Sequence, residues 1–234
     1  MSAVLSLTDL QFAWPQQPLL LDIPLFELQR GERLFLKGPS GSGKTTLLGL
    51  LGGIQLPQQG QLTLHGSVLN TLKPAARDHF RADHIGYIFQ QFNLLPFLDV
   101  LGNVLLPCRF SQRRAARASQ RHGALENAAA HLLNHLGLPS ELHTRRADAL
   151  SIGQQQRVAA ARALIGSPEL IIADEPTSAL DYDSREAFIR LLFNECEAAG
   201  ASLMFVSHDQ SLAPLFDRVV DLHQLNRASR PQEV

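Results

Sequence analysis

A glycine-rich run that ends in lysine and threonine is the part of the sequence best suited to chemistry on phosphate groups. The run, called the phosphate loop below, is Gly38-Pro39-Ser40-Gly41-Ser42-Gly43-Lys44-Thr45, and it fits the pattern G-x-x-x-x-G-K-[ST] in full. Its glycines let backbone N–H groups turn towards an anion, Lys44 can reach the β- and γ-phosphates, and the Thr45 hydroxyl can coordinate Mg²⁺. The alternative is a glycine-rich turn with a solvated lysine. A strand before the run and an apolar helix after it, Thr45 to Leu51, favour phosphate binding.

Two acids at the end of an apolar segment form a second chemical signal. Leu170 to Ala173 has the composition of a buried strand, and Asp174 and Glu175 follow it directly. Ligands of open parallel sheets bind at the carboxyl ends of the strands, so we expect Asp174 beside the phosphate loop, where it would help to hold Mg²⁺. Glu175 is suited to accept a proton from an attacking water, or to orient it. Acids after a strand often only face solvent, but the phosphate loop upstream favours the functional interpretation.

Composition sets the outer limits. The chain has 234 residues, 45% of them hydrophobic and 18% charged, which is typical of a folded globular protein with a buried core. A formal net charge of −1 gives no electrostatic reason to expect nucleic-acid binding. Two cysteines, Cys108 and Cys196, argue against a disulfide framework. No segment has the about 18 apolar residues of a membrane helix, so we expect a cytosolic protein whose membrane role, if any, comes through a partner.

The chemical signals require a sheet to position them, and the chain alternates strand-like with helical segments, as in a mainly parallel sheet flanked by helices. The predicted strands are 4–12, 19–28, 33–37, 61–65, 85–89, 170–173, 202–206 and 219–222. Residues 93–163 are instead Ala- and Leu-rich and predict a helical block. Helices are also predicted over 74–83, 123–136, 154–165 and 184–199.

Further motifs follow the phosphate loop in a fixed order. Gln90 comes after Tyr87-Ile88-Phe89, and the signature segment, Leu150-Ser151-Ile152-Gly153-Gln154-Gln155-Gln156-Arg157, precedes the two acids. Ser178-Ala179-Leu180-Asp181 and Val206-Ser207-His208-Asp209 come after them. With these motifs the chain resembles, over almost its whole length, the nucleotide-binding subunit of ATP-binding-cassette (ABC) transporters.

The resemblance implies ATP and Mg²⁺ as bound groups and assigns roles to residues. Lys44, Gln90, Glu175 and His208 would be catalytic, with His208 on the γ-phosphate, and Thr45, Gln90 and Asp174 would hold the metal. Trp14 would stack on adenine, where packing in the core or at the surface is the alternative, and Asp181 would bridge two subunits. The implied nucleotide contacts are Trp14, Gly38, Pro39, Ser40, Gly41, Ser42, Gly43, Lys44, Thr45, Thr46, Ser151, Gly153, Gln154 and Asp181.

The signature segment is expected to open a helix, so that its hydroxyl and backbone N–H groups can point at an anion. The resemblance to ABC transporters implies that these groups complete the nucleotide site of a second copy, so that ATP joins two subunits head to tail. Ile152 stands where glycine is common in that family. A β-branched residue disfavours positive φ, so we expect ordinary backbone geometry there.

Two other segments suggest partners. The apolar stretch 91–97 is interpreted as a groove for a short helix of a membrane subunit, with packing of the helical block as the alternative. A run of basic residues without an intervening acid is interpreted as a solvated helix face, with contact to anionic lipid or an acidic loop as the alternative. The run consists of Arg109, Arg113, Arg114, Arg117 and Arg121.

The sequence therefore predicts one α/β domain with a P-loop NTPase core, an N-terminal antiparallel β subdomain and an inserted α-helical subdomain. The core lobe is expected over 1–92 and 164–234, and the helical lobe over 93–163. By resemblance, the chain is an ATPase that dimerises on ATP and powers a separate membrane permease of the export or lipoprotein-release type, at the cytoplasmic face of the inner membrane. The alternatives are a regulatory ATPase that signals to a cell-wall hydrolase, and an importer motor.

Overall fold

The structure is a computed structural model that describes residues 2–39 and 41–229. It divides into two compact units. Unit 1 consists of the described residues up to Arg81 and those from Met204 onward, and unit 2 is Ala82–Leu203. The lobe boundaries given above stay a prediction.

Unit 1 contains a four-stranded antiparallel sheet, as predicted. Its strands are β1 (Ala3–Ala13), β2 (Leu19–Gln29), β4 (Gln59–Leu64) and β5 (Ser67–Val68), in the order β2-β1-β4-β5. Alternate leucines of β1 face the core: Leu5 pairs with Leu28 and Leu64, and Leu7 pairs with Leu62. These side chains are buried, so the period-two pattern fixes which face of the sheet is covered. The two-residue strand β5 has no counterpart among the predictions.

Unit 1 also contains the parallel pair β3 (Arg33–Lys37) and β9 (Arg218–Asp221), in which Phe35 lies opposite Val219. Phe35 contacts Phe205 and Phe216, with ring centroids 6.1 and 5.2 Å apart. Helix α1 (Lys44–Leu51) buries four leucines beside this core, and α8 (Leu222–Leu225) follows β9. After β5 the chain forms α2 (Pro74–His84). The division between the units crosses the chain twice, once within α2 and once within the buried strand β8 (Ser202–Val206).

Unit 2 contains the parallel pair β6 (Ile85–Ile88) and β7 (Leu170–Asp174) and a series of helices. The helices are α3 (Val100–Phe110), α4 (Gln112–His122), α5 (Leu125–His135), α6 (Ile152–Leu164) and α7 (Tyr182–Ala199). An inserted helical block is thus confirmed, whereas its bounds at 93 and 163 stay a prediction. At Gly86 in β6, an added Cβ would lie 2.1 Å from the carbonyl oxygen of Ala163, so only glycine lets the strand approach α6 this closely.

The basic run is not a uniformly solvated face: the prediction is wrong for Arg114, whereas Arg113 and Arg117 are half-buried and Arg109 and Arg121 are exposed. Arg114 is buried, and its guanidinium donates to the carbonyl oxygens of Ile85, Arg162, Ala163 and Ile165. Three of these acceptors lie at the carboxyl end of α6, where backbone carbonyls lack helical partners. Arg113 and Arg117 pair with Glu169, and Arg121 donates to the carbonyl of Ala198. The long arginine side chains reach backbone acceptors that the local sequence does not reveal.

No helix in residues 2–39 and 41–229 is both long and apolar enough to cross a membrane.

Candidate functional site

The phosphate loop lies in unit 1, between β3 and α1, and two glycines shape its turn. Gly41 and Gly43 have φ of 79° and 93°, a region in which a side chain is strained. Gly43 is the residue before α1, and an added Cβ there would lie 2.9 Å from the Leu21 side chain. The helix therefore begins directly after a left-handed glycine, and its first backbone N–H groups have no helical acceptor. Such a helix start favours an anion.

The side chains of the loop supply further donors. Lys44 Nζ donates to the carbonyl oxygens of Gly38 and Pro39, at 2.6 and 2.9 Å, so the ammonium group lies across the loop. The buried Ser42 Oγ has no hydrogen-bond partner within the described residues. A buried hydroxyl without a partner costs free energy, and it could donate a hydrogen bond to a phosphate oxygen. Thr45 is exposed and Thr46 half-buried, whereas Ser40 lies outside the described residues. The loop thus fits a phosphate group on its own geometry.

His208 lies near the phosphate loop within unit 1. A cavity of about 270 Å³ is lined by His208 and Gln210, by Gly38 and Pro39 of the loop, and by Lys37 and Asp221. Lys37 Nζ is 3.7 Å from Asp221 Oδ2, which places a charge pair at the ends of β3 and β9. His208 and the phosphate loop thus line the same cavity of unit 1, while the contact of His208 with the γ-phosphate stays a prediction.

Trp14 lies at the end of β1, and 42% of its surface is exposed. It contacts the buried Phe12 edge to face, with ring centroids 5.2 Å apart and an interplanar angle of 87°. One part of the indole is held by packing while the rest remains available to a flat ligand. The packing interpretation and the adenine-stacking interpretation of Trp14 are therefore compatible.

In unit 2, the two acids lie at the carboxyl end of β7, as predicted. Asp174 is the last residue of the strand and half-buried, and Glu175 is buried with φ of 46°. A left-handed conformation in a residue other than glycine is strained, and such strain is concentrated at functional sites. Burial raises the pKa of the Tyr87 hydroxyl, and the negative charge of Asp174 raises it further. The Asp174 carboxylate is therefore close enough to Tyr87, on the neighbouring strand β6, for its charge to act on the Tyr87 hydroxyl.

Gln90 follows that neighbouring strand. In the parallel pair, Ile88 of β6 lies opposite Ala173 of β7, so the residues that follow the two strands emerge at the same edge. Gln90 is exposed there, two residues after β6 ends. The structure therefore brings Gln90, Asp174 and Glu175 to one edge of unit 2.

The signature segment forms the start of α6. Ser151 precedes the helix, and its Oγ accepts from the N–H of Gln154 while Gln154 Oε1 accepts from the N–H of Ser151. This capping box starts the helix at Ile152, two residues earlier than predicted. Ile152 lies in the first turn and is not among the residues with positive φ, which confirms its ordinary backbone geometry. Its side chain is 53% exposed.

Beside Ser151, the N-terminus of α6 is open to an approaching group. Ser151 is exposed, and the nearest neighbour that an added Cβ at Gly153 would meet is the Leu180 side chain at 3.9 Å. The first N–H groups of this 13-residue helix lack helical acceptors, and such a helix start suits an anion. Gln154, a predicted nucleotide contact, uses its side-chain oxygen in the cap.

Asp181 caps a second helix in unit 2. Its Oδ1 accepts from the N–H of Ser184, and its Oδ2 accepts from the Ser184 hydroxyl, both at 2.9 Å. These hydrogen bonds, that from the Ser184 backbone first, lower the pKa of the Asp181 carboxyl. Asp181 therefore starts α7 as its N-cap, a local role that the resemblance did not include.

Two polar residues of α6, Gln156 and Arg162, were missed in the sequence. They connect the helix to the segments that follow Glu175 and Gln90. Buried Gln156 Nε2 donates to the carbonyl of Pro176, at 2.9 Å, in the segment after Glu175. Arg162 donates to the carbonyls of Asn93, at 2.7 Å, and Phe92, in the segment after Gln90. Burial lowers the pKa of the Arg162 guanidinium. Arg162 gives one sequence signal, because it is the single charged residue in the alanine-rich second half of α6, whereas Gln156 lies in a polar run and gives none.

Comparison with known proteins agrees with this geometry. Residues 21–178 match the family described as ABC transporter. The lipoprotein-releasing system ATP-binding protein LolD of Psychrobacter arcticus is 37% identical over 221 residues, which cover 93% of this chain and 95% of that protein. The macrolide export ATP-binding/permease protein MacB of a Shewanella species is 38% identical over 207 residues, 88% of this chain and 30% of that protein.

A solved structure extends the likeness to three dimensions. The ATP-binding cassette MJ0796, in a dimeric post-hydrolysis state bound to ADP and Pi, superposes with a TM-score of 0.80 at 32% identity. The match covers 98% of this chain and 97% of that one, so it includes both the α/β core and the helical block. Together with the family match over residues 21–178, this identifies the chain as a member of the ABC transporter family.

Proposed function

We propose that this ABC-family chain hydrolyses ATP as one of two identical subunits and thereby powers a separate membrane subunit in lipoprotein release or export. The observation that carries the proposal is the phosphate loop, with its left-handed glycines, its lysine across the loop and its buried, unpartnered Ser42 hydroxyl. These features fit a phosphate group without reference to any relative. The related cassette MJ0796 is dimeric and binds ADP and Pi, the products of ATP hydrolysis.

In the proposed reaction, water attacks the γ-phosphate and Glu175 accepts its proton or orients it. Lys44 leaves its loop carbonyls to neutralise phosphate charge, and His208 contacts the γ-phosphate. Thr45, Gln90 and Asp174 are the residues that would hold Mg²⁺, since hydroxyl, amide and carboxylate oxygens are the ligands that this ion prefers. When bound, Mg²⁺ would neutralise charge on the phosphate oxygens.

The start of α6 supports the dimeric part of the proposal. Ser151, Gly153 and the first N–H groups of α6 would contact the nucleotide held by the phosphate loop of the second copy, and Asp181 would lie at the boundary between the copies. The capping box orients Ser151 and the helix start before any ligand arrives. Trp14 would stack on the adenine of the nucleotide that its own loop holds.

The segment after Gln90 supports the membrane partner. Phe97 is 71% exposed, which is unusual for a large aromatic side chain. Hydrogen bonds nevertheless hold the backbone of this segment. Buried Asn103 accepts from the N–H of Leu95 and donates to its carbonyl. Phe97 would enter a contact with a short helix of the membrane subunit, at the cytoplasmic face of the membrane. LolD and MacB, named for lipoprotein release and macrolide export, favour this class of partner over an importer or a cell-wall regulator.

The decisive experiment replaces the proposed base. We expect Glu175→Gln to lower the rate of ATP hydrolysis by about 100-fold or more, because general-base assistance is worth roughly that factor. The variant should still bind ATP and should run at twice the monomer mass in size-exclusion chromatography with saturating Mg²⁺-ATP. It should also retain the membrane protein that copurifies with the wild-type chain.

Glu197→Gln is the matched control, since Glu197 is an exposed glutamate on α7. It should hydrolyse ATP at the wild-type rate. A Glu175→Gln chain that stays monomeric in saturating ATP and hydrolyses it normally would contradict the mechanism.

A further inference from the structure

Three of the nine histidines of the chain lie together on the pair of helices α4 and α5 in unit 2. The ring centroids of His122 and His131 are 4.6 Å apart, and those of His131 and His135 are 3.9 Å apart. The three rings line a cavity of about 150 Å³ whose other walls include Glu195 and Arg121. None of these residues belongs to the proposed nucleotide site.

The spacing of the three histidines is suited to a metal ion. His131 and His135 are four residues apart on one face of α5, the spacing by which helical histidine pairs bind Zn²⁺. His122 is the last residue of α4, and only Gly123 and Ala124 separate the two helices. The third ring therefore comes from a different helix, as in sites with three histidine ligands.

A carboxylate orients one of the rings. Nδ1 of His135 is 3.1 Å from Oε1 of Glu195, whose side chain is only 13% exposed. A neutral His135 that donates from Nδ1 to this carboxylate has its lone pair on Nε2, directed away from Glu195. A carboxylate on the far nitrogen of a ligating histidine is a recurrent feature of zinc sites, because it fixes the tautomer and raises the basicity of the ligand.

The cations around the cluster are engaged elsewhere. Arg121 donates to the Ala198 carbonyl at 3.0 Å and to Ser167 Oγ at 3.3 Å, and Arg117 donates to the Ser167 carbonyl at 2.7 Å. These hydrogen bonds hold both guanidinium groups against Ser167 and Ala198.

We propose that His122, His131 and His135 bind a divalent transition-metal ion of the zinc class and that Glu195 positions His135 for this role. Imidazole ligands select Zn²⁺, Ni²⁺, Cu²⁺ and Co²⁺ over Mg²⁺ and Ca²⁺, so the site is chemically distinct from the Mg²⁺ site proposed for ATP. Within the described residues the ring nitrogens do not yet converge on one point. His131 is exposed and His122 half-buried, so rotation of these two side chains would bring their ring nitrogens to Nε2 of His135, which keeps its bond to Glu195. The ion would cross-link α4 and α5.

The test uses the full-length chain, freed of metal by a chelator and titrated with Zn²⁺ against a chromophoric competitor. The wild-type chain should bind Zn²⁺ at this site and unfold at a higher temperature when Zn²⁺ is present, because binding to the folded state stabilises it. His131→Gln and His135→Gln should each weaken this binding by more than about tenfold, and Glu195→Gln by about tenfold. His79→Gln, which removes an exposed histidine of α2, is the matched control and should bind as the wild-type chain does.

A second measurement requires no variant. The wild-type chain loaded with Co²⁺ should show the visible absorption of a cobalt ion with nitrogen ligands. The proposal is overturned if His131→Gln and His135→Gln bind Zn²⁺ as tightly as the wild-type chain, or if His79→Gln loses the same affinity. It is also overturned if inorganic phosphate, and not Zn²⁺, raises the unfolding temperature through these residues.

Discussion

The phosphate loop of unit 1 and helix α6 of unit 2 are both proposed to bind an anion at the start of a helix, but they are held in different ways. In the phosphate loop the contacts are local, since Lys44 bonds carbonyls five and six residues away. Helix α6 has a local cap at its N-terminus, whereas its carboxyl end is held by Arg114, 48 to 51 residues away. One proposed anion site therefore depends on the sequence around it, and the other depends on the packing of a whole unit.

This difference assigns different roles to two basic residues. Lys44 donates to two carbonyls of a partly exposed loop, so its replacement should abolish ATP hydrolysis and leave the fold almost unchanged. Arg114 is buried and bonds four backbone carbonyls, so its loss would remove support from the helix that carries the signature segment. Burial lowers the pKa of Arg114 to about 10, which leaves the guanidinium charged at pH 7 and able to donate to all four.

Replacement of Arg114 should have the largest effect on stability. We expect Arg114→Met to lower the free energy of unfolding by about 3 to 5 kcal/mol, because several buried carbonyls would each lose a donor at roughly 1 to 3 kcal/mol. Methionine keeps the apolar stem and supplies no N–H group. Urea unfolding followed by circular dichroism measures the change.

Two matched variants sharpen the comparison. Arg109→Met removes an exposed arginine of the same run and should change the free energy of unfolding by less than about 0.5 kcal/mol. Lys44→Met should also change it little, while hydrolysis of ATP is lost. The distinction between the two regions fails if Arg114→Met is as stable as Arg109→Met, or if Lys44→Met is the more destabilised chain.

A second long-range anchor of unit 2 should give a smaller effect that depends on pH. Glu169 accepts from His84 Nδ1 at 2.8 Å and Arg113 Nη2 at 2.7 Å, and Arg117 lies 3.0 Å away. Burial alone would raise the pKa of the Glu169 carboxyl, but these hydrogen bonds and charges outweigh it and hold the pKa well below its usual range. The stabilisation is therefore fully present above the unfolded-state pKa of about 4.3 and is lost as pH falls below it.

We expect Glu169→Gln to lower the free energy of unfolding by roughly 1.5 to 3 kcal/mol at pH 7, the range for hydrogen bonds to a charged group. The difference from the wild-type chain should shrink as urea unfolding is repeated from pH 5 towards about pH 3. Glu186→Gln is the control, because the ion pair of Glu186 with Arg190 is exposed and should contribute little at any pH. A difference that stays constant down to about pH 3 would show that the charge of Glu169 is not its source.

The same division between local and remote contacts explains what could be predicted from the sequence. The phosphate loop, the strand that ends in Asp174 and the alternating leucines of β1 follow local rules, and the structure has each of them as predicted. The arginines of α4 illustrate the opposite case, because a basic run looks solvated until the carbonyls of α6 and the carboxylate of Glu169 are known to face it. Arg162 and Gln156 were missed for the same reason, since their acceptors, Asn93 and Pro176, are distant in sequence.

Ser151 should give the smallest effect on stability, and it can separate the local cap from the proposed chemistry. Ser151→Ala removes the acceptor for the Gln154 N–H and should lower the free energy of unfolding by about 1 kcal/mol, as for other N-caps. Ser151→Asp retains an acceptor and should regain most of that stability, but it places a negative charge where a phosphate of the second copy is proposed to lie. Both variants should therefore lose ATP hydrolysis in a steady-state assay while still binding nucleotide at the phosphate loop. If Ser151→Asp hydrolysed ATP at the wild-type rate, Ser151 would act only as a helix cap. The proposed contact between the start of α6 and a nucleotide held by a second copy would then be wrong.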